Sequence, residues 1–313
     1  MSKIQKALRK IKMQSNGRQA GTGDRQTNTH DVSLVVARKS VTGNVLTDRE
    51  SESTRGVVVE VDQKALRDAG LVAPDYHEKI LADQYRDIKR PLIANAYGKR
   101  VSRVEDGNLI MVTSALAGEG KTFTSLNLAI SIAQEQDLTV LLVDGDVANP
   151  YISDVFGVSK MSGLLDLLQG DCQGAESLVV QTDMKGLSIL PAGAPRSDAN
   201  ELLSGARMEN IIQQLVSRFS QRIVIFDTPP LLQTSESKAL ASMAGQIVLV
   251  IKAESTSQDA AAEALQVLGG ENTVNLILNQ SRTAENKNRY KYGYGYGPSD
   301  TPQTTPLKQS FWD

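Results

Sequence analysis

Between Leu109 and Asn279 the chain repeats one pattern: a short apolar, β-prone run, a polar or glycine-bearing break, then a stretch whose apolar positions recur at helical spacing. Continuous apolar runs bounded by turn residues predict strands buried on both faces. They fall at Leu109–Thr113, Thr139–Asp144, Leu187–Pro191, Arg222–Asp227, Gln246–Lys252 and Thr273–Asn279. The intervening stretches predict helices at Lys121–Gln136, Gly163–Gln169, Asn200–Ser204, Arg207–Phe219, Glu236–Met243 and Ser257–Leu268. Strands alternating with helices imply an α/β fold, a mainly parallel sheet flanked by helices on both faces. Ligands of such sheets bind beyond the carboxyl ends of the strands.

Upstream, Gly56–Val61 is a further β-prone run, and a short helix follows with Asp62 as N-cap and Gly70 as its stop. Tyr76–Tyr97 predicts a longer helix with Ile80, Leu81, Tyr85, Ile88 and Leu92 on one side and a bend near Pro91. Its other faces carry Asp83, Arg86, Lys89 and Arg90, which reads as a solvated surface. From Gln14 to Arg55 the composition turns to Ser, Thr, Asn, Gly, Asp and Arg; such a segment buries too little to offset its ordering entropy and predicts a mobile linker. Ahead of it, Ser2–Met13 is a basic helix candidate, with Ile4, Leu8 and Ile11 at helical spacing among five lysines and arginines. It suits an anionic membrane surface, a partner groove or a frayed, solvated end. The chain therefore divides into a basic helix plus linker (1–55), an α/β domain (56–285) and a flexible tail (286–313).

Composition narrows this picture by exclusion. The chain has 313 residues and 40% hydrophobic side chains, enough for one large core. A net charge of −2 gives no overall bias towards nucleic acid or anionic lipid. A single cysteine, Cys172, suits a reducing, cytoplasmic compartment, and two distant histidines, His30 and His77, offer no zinc site. No signal peptide and no apolar stretch long enough for a bilayer stand out.

The chemistry concentrates in LIMVTSALAGEGKTF, Leu109–Phe123, where a predicted strand passes through a glycine-bearing turn into a helix. Backbone N–H groups of such a turn and helix N-terminus converge on an anion. Lys121 would reach the β- and γ-phosphates of a nucleotide, and the Thr122 hydroxyl would sit on Mg²⁺. Ala115 stands where the usual phosphate-loop pattern has its first glycine, while Gly118, Gly120, Lys121 and Thr122 are in place. Two later strand ends deliver carboxylates: Asp144 and Asp146, whose alternate spacing places both at the rim, and Asp227 before Thr228-Pro229-Pro230. Three aspartates on two strands that follow a phosphate loop form a constellation suited to Mg²⁺ and general-base chemistry.

Four of the eight tyrosines, Tyr290, Tyr292, Tyr294 and Tyr296, alternate with lysine or glycine in the tail. Gly293, Gly295 and Gly297 leave that backbone too loose to bury the rings cheaply, so they are expected to be exposed. A sticky tail, a nucleic-acid stacking segment or a set of phosphoacceptors all fit this composition.

Ala115–Thr122, Leu141–Asp146 and Ile223–Pro230 resemble the Walker A, Walker A′ and Walker B motifs of bacterial tyrosine kinases, the P-loop autokinases of capsule synthesis and polysaccharide export. The likeness runs from about Ala82 to Gly297, through Leu190-Pro191-Ala192-Gly193 and Glu201-Leu202-Leu203-Ser204 to the tail tyrosines. In detail it is nearest to the soluble autokinases associated with exosortase loci. The resemblance implies a deviant-Walker, MinD/ParA-like P-loop fold in three layers, with ATP and Mg²⁺ as cofactors. Ala117, Gly118, Glu119, Gly120, Lys121, Thr122 and Phe123 would wrap the nucleotide, and Asn279 would lie near the adenine. Thr122 and Asp146 would hold the metal, with Asp227 supporting it. Asp144 would take the proton from the incoming tyrosine, and Tyr290, Tyr292, Tyr294 and Tyr296 would accept phosphate in trans. A membrane chain-length-determinant protein would act as activator and recruit the kinase to the inner face of the membrane. A tyrosine phosphatase and self-association into a homo-oligomer such as a ring are also implied, and nucleic acid is not.

Some positions depart from the family pattern. Ala117 replaces a frequent proline, and Ala148 and Asn149 replace arginines before Pro150. The Glu-x-x-Arg-x-x-Arg of the oligomerisation helix becomes Asp83, Arg86 and Lys89, and lysine lacks arginine's bidentate fork. The competing reading is a positioning ATPase of the ParA/MinD kind or a nucleotide-dependent scaffold with little kinase activity. Positioning ATPases carry a second lysine early in the loop, where this chain has Leu116.

Overall fold

The computed structural model describes residues 58–281, apart from 69, 72–74, 99–103, 171–173, 219 and 270–271. The Ser2–Met13 helix, the linker and the tail with Tyr290, Tyr292, Tyr294 and Tyr296 lie outside the described residues. In chain order the elements are β1 (Val58–Val59), α1 (Gln63–Asp68), α2 (Asp75–Tyr97), β2 (Leu109–Ser114), α3 (Lys121–Ala133) and β3 (Thr139–Asp144). Then come α4 (Tyr151–Val155), α5 (Leu164–Gln169), a 3₁₀ turn (Ala175–Leu178), β4 (Val180–Thr182), β5 (Leu187–Leu190), α6 (Ala199–Leu203) and α7 (Ala206–Ser217). The series closes with β6 (Arg222–Asp227), α8 (Ser235–Met243), β7 (Gln246–Lys252), α9 (Gln258–Leu268) and β8 (Thr273–Asn279).

All eight strands form one sheet in the order β1-β4-β5-β3-β6-β2-β7-β8, parallel except where β4 meets β5. Two-sided burial explains the apolar runs. Met111, Leu141, Val143, Val224, Phe226, Ile247 and Leu249 pack into the core on one face, with the buried residues of α5 to α9. Their neighbours Ile110, Val112, Val140, Leu142, Ile223, Ile225, Val248 and Val250 pack into the other core, with those of α2, α3 and α4. Each such fully buried side chain contributes about 1.5–3 kcal/mol relative to exposure.

α1 starts as its sequence predicts, with the Asp62 Oδ1 accepting the Ala65 N–H at 2.9 Å. α2 runs unbroken through Pro91 and buries Tyr85, Leu92 and Ala96. Lys89 corrects the expectation of a solvated surface: it is only 6% exposed. Its ammonium donates to the Ser131 carbonyl in the last turn of α3 and pairs with Glu135 Oε1 at 2.8 Å. A cation is favoured at a helix C-terminus, and the four-carbon stem reaches it from the neighbouring helix. The third position of the assembly-type pattern is thus turned inward, while Arg86 pairs with Asp83 on the exterior.

Candidate active site

The order of the central strands brings the predicted chemistry together. β3, β6 and β2 are adjacent and parallel, so their carboxyl ends lie side by side. Asp144 and Asp227 are direct partners across the β3–β6 ladder, and Asp227 stands opposite Val112 of β2. The segment after β6 is tied to β2: Thr228 N–H donates to Val112 O at 3.1 Å, Thr113 Oγ1 to Pro229 O at 2.8 Å, and Leu231 N–H to Ser114 O at 2.8 Å. Pro229 and Pro230 end the strand without a ladder donor.

The loop between β2 and α3 takes two left-handed turns, at Gly118 (φ 77°) and Gly120 (φ 93°), conformations that a side chain disfavours. No side chain caps the N-terminus of α3, which leaves its first-turn amides and dipole facing an anion site. Glu119 is buried at 2% exposure; its Oε2 accepts the Leu116 N–H at 2.8 Å, and its Oε1 accepts the Thr256 hydroxyl. Thr256 in turn accepts the Lys252 N–H at 3.2 Å. On the other side Asn279 Nδ2 donates to Glu119 O at 2.8 Å. The loop is therefore clamped by the ends of β7 and β8. Asn279, expected near the base, has its side chain on the phosphate loop itself. Replacing Gly120 with alanine would place a Cβ 2.1 Å from Asn279 Nδ2 at a φ of 93°. That variant is expected to lose roughly tenfold or more in ATP affinity, because left-handed strain of about 1–2 kcal/mol adds to the displaced clamp. Titration with a fluorescent ATP analogue measures it.

Lys121 sits among the carboxylates. Its Nζ is 2.6 Å from Asp146 Oδ2 and 3.9 Å from Asp227 Oδ2. Burial opposes its charge, but Asp227 and Asp146 outweigh that and hold its pKa above the ordinary lysine value, so it stays protonated. Asp227 is 1% exposed and accepts two hydroxyls, Thr122 Oγ1 on Oδ2 and Ser125 Oγ on Oδ1, each at 2.8 Å. Burial pushes its pKa up, while Lys121 and those two hydroxyls pull it down.

Asp144 and Asp146 differ, although the sequence places both at the rim. Asp146 is 4% exposed and bound to Lys121, whereas Asp144 is wholly buried. Asp144 Oδ2 accepts the Ser153 N–H at 2.7 Å and the Ser153 hydroxyl at 2.6 Å, and its Oδ1 has no hydrogen-bond partner. Burial raises its pKa from 3.8 to about 7; the Ser153 bonds work against this, and Asp227 and Asp146 add to it.

Mg²⁺ takes one or two carboxylates plus waters and phosphate oxygens rather than a protein cage. Thr122, Asp146 and Asp227, gathered around Lys121, are oxygen donors of the type such a site would use. Among the described residues no three acidic, His or Cys side chains form a metal cage of their own. The sequence reading named Lys121, Thr122, Asp144, Asp146 and Asp227 and missed Ser125, Ser153 and Thr256. Ser125 was within reach, since it lies one helical turn beyond Lys121; Ser153 and Thr256 belong to other elements and give no local signal.

This sheet, with its phosphate loop and strand-end carboxylates, defines the P-loop nucleotide-binding class. A family profile described as an AAA domain matches residues 107–280. The tyrosine-protein kinase YwqD of Bacillus subtilis is 30% identical over 221 residues, 71% of this chain and 83% of that protein. The tyrosine-protein kinase ptk of Acinetobacter johnsonii is 32% identical over 46% of this chain, which spans only 19% of that longer protein. Among solved structures, the VpsO kinase domain superposes with a TM-score of 0.54 at 33% identity, over 66% of this chain and 98% of that domain. The chain belongs to the bacterial tyrosine-protein kinases. Among the described residues no helix is long and apolar enough to cross a membrane.

Proposed function

We propose that the chain is an ATP- and Mg²⁺-dependent protein-tyrosine autokinase that phosphorylates Tyr290, Tyr292, Tyr294 and Tyr296 of a second copy. The observation that supports this most strongly is the convergence of Lys121, Asp146 and Asp227 at the N-terminus of α3, beside the buried Asp144. In this reading the first-turn amides of α3 and the Lys121 ammonium bind the β- and γ-phosphates. Thr122, Asp146 and Asp227 hold Mg²⁺, which when bound neutralises charge on the phosphate oxygens. The tyrosine oxygen bonds to the γ-phosphorus as the bond to the β-phosphate oxygen breaks, and ADP leaves. Asp144 takes the tyrosine proton, and a pKa of about 7 suits a base that works near neutrality.

The resemblance extends the proposal to regulation of exopolysaccharide synthesis or export in the cytoplasm. A membrane chain-length-determinant partner would activate the kinase and a phosphatase would reset it. Phosphorylation of the tail then acts as an electrostatic release switch. Four phosphotyrosines add about −6 to −8 charge to a segment that also carries Lys287, Arg289 and Lys291. The unmodified tail can approach a neighbour's site, whereas the modified tail is repelled by Asp144, Asp146, Asp227 and bound nucleotide. Replacing the four tail tyrosines with phenylalanine is expected to remove most incorporated phosphate and to keep the self-associated form. Sedimentation of wild type with and without phosphate, at matched salt, decides the switch: identical mass distributions would rule it out and leave the kinase assignment standing.

A further inference from the structure

Ser153 is buried at 1% exposure in α4, nine residues beyond Asp144. Its hydroxyl has both roles assigned: it donates to Asp144 Oδ2 at 2.6 Å and accepts the Ala192 N–H at 3.0 Å. Its own N–H donates to the same Asp144 oxygen at 2.7 Å. Two donors from one residue on one oxygen fix both the torsion and the in-plane rotation of the carboxylate, and they leave Oδ1 as the oxygen without a partner. Ala192 follows the end of β5, the strand next to β3, so the hydroxyl is itself held from a neighbouring strand rather than free to rotate. The hydroxyl adds a second donor to the oxygen that the Ser153 N–H already holds.

We infer that Ser153 is a positioning residue for tyrosine phosphorylation: it fixes the orientation of Asp144 and keeps its buried Oδ1 uncommitted for the tyrosine proton, acting only through Asp144. The inference rests on Asp144 being the proton acceptor in the proposed kinase reaction. Without the Ser153 hydroxyl the carboxylate keeps one donor and gains rotational freedom, so its reactive oxygen spends less time in line with the nucleophile. The phosphate loop, Lys121 and Asp227 touch neither Ser153 atom in the contacts described above, so nucleotide binding is expected to stay as it is.

The test is a double-mutant cycle on the full chain with ATP and Mg²⁺, measuring kcat for phosphotyrosine formation together with ATP affinity for Ser153→Ala, Asp144→Asn and the double variant. Ser153→Ala is expected to lower kcat roughly tenfold with ATP affinity within about twofold, and Ser153→Thr, which restores a hydroxyl, to recover part of the loss. In the double variant the loss should equal that of Asp144→Asn alone. Multiplicative losses, or undiminished kcat in Ser153→Ala beside an impaired Asp144→Asn, overturn the inference while the kinase reading stands. Full activity in Asp144→Asn overturns the assignment of the base, and the inference with it. Loss of ATP affinity in Ser153→Ala shows a merely structural role and counts against it as well.

Discussion

Lys121→Met is expected to lower tyrosine phosphorylation by about 10²–10³-fold, the effect of removing a fixed charge from the point where phosphate charge shifts during transfer. The same substitution removes the cation that lies 2.6 Å from Asp146 and 3.9 Å from Asp227. Breaking a buried pair from one side costs about 3–5 kcal/mol, because the remaining charge loses its compensation. The fold should persist with a lower thermal midpoint, since the two cores on either face of the sheet are untouched by the change. Part of the penalty should be relieved at low pH, where the orphaned carboxylates take up protons. Circular dichroism and phosphotyrosine immunodetection on one preparation separate the two effects: undiminished phosphotyrosine would sink the role given to Lys121.

Asp144→Asn is expected to keep ATP binding and to slow transfer by roughly 10²-fold or more, as for loss of a positioned base. The variant also has a signature in stability. The folded-state pKa of Asp144, about 7, lies above its ordinary value of 3.8. Between those values the folded chain binds a proton that the unfolded chain releases, so this group's contribution to stability is present at low pH and is lost as pH rises from about 4 to about 7. Asparagine removes that dependence. Thermal midpoints of wild type and variant should therefore diverge across this window, with the variant gaining on wild type as pH rises. Collapse of ATP affinity in the variant would instead make Asp144 a structural or metal-holding residue.

The strands were legible where burial on both sheet faces forces an unbroken apolar run. Thr139–Asp144, Arg222–Asp227 and Gln246–Lys252 have the predicted limits, and so does the half-buried edge strand Thr273–Asn279. Val180–Thr182 was not legible: it is a three-residue strand, and its place comes from pairing with β1 and β5, which no local pattern records. The same holds for α4, five residues tied to the rest by the buried Ile152 and by the two bonds from Ser153 to Asp144. Asp144 and Asp146 look equivalent in the chain, and only the folded contacts give one to Lys121 and the other to Ser153. Lys89 misled for a related reason, since a charged residue on a helix reads as solvated until the neighbouring helix end is known. Glu119 is the sharpest case: a loop carboxylate in sequence, it becomes a buried brace because β7 brings Thr256 to it.

The central claim is that this site moves phosphate from ATP to tyrosines of its own chain, and peptide-mapped mass spectrometry after incubation with ATP and Mg²⁺ tests it most directly. The account predicts phosphate on Tyr290, Tyr292, Tyr294 and Tyr296 in wild type and, at equal time, on the order of a hundredth of it or less in Lys121→Met. ATP turnover with no phosphotyrosine on the chain, or undiminished tail phosphate in Lys121→Met, would contradict it.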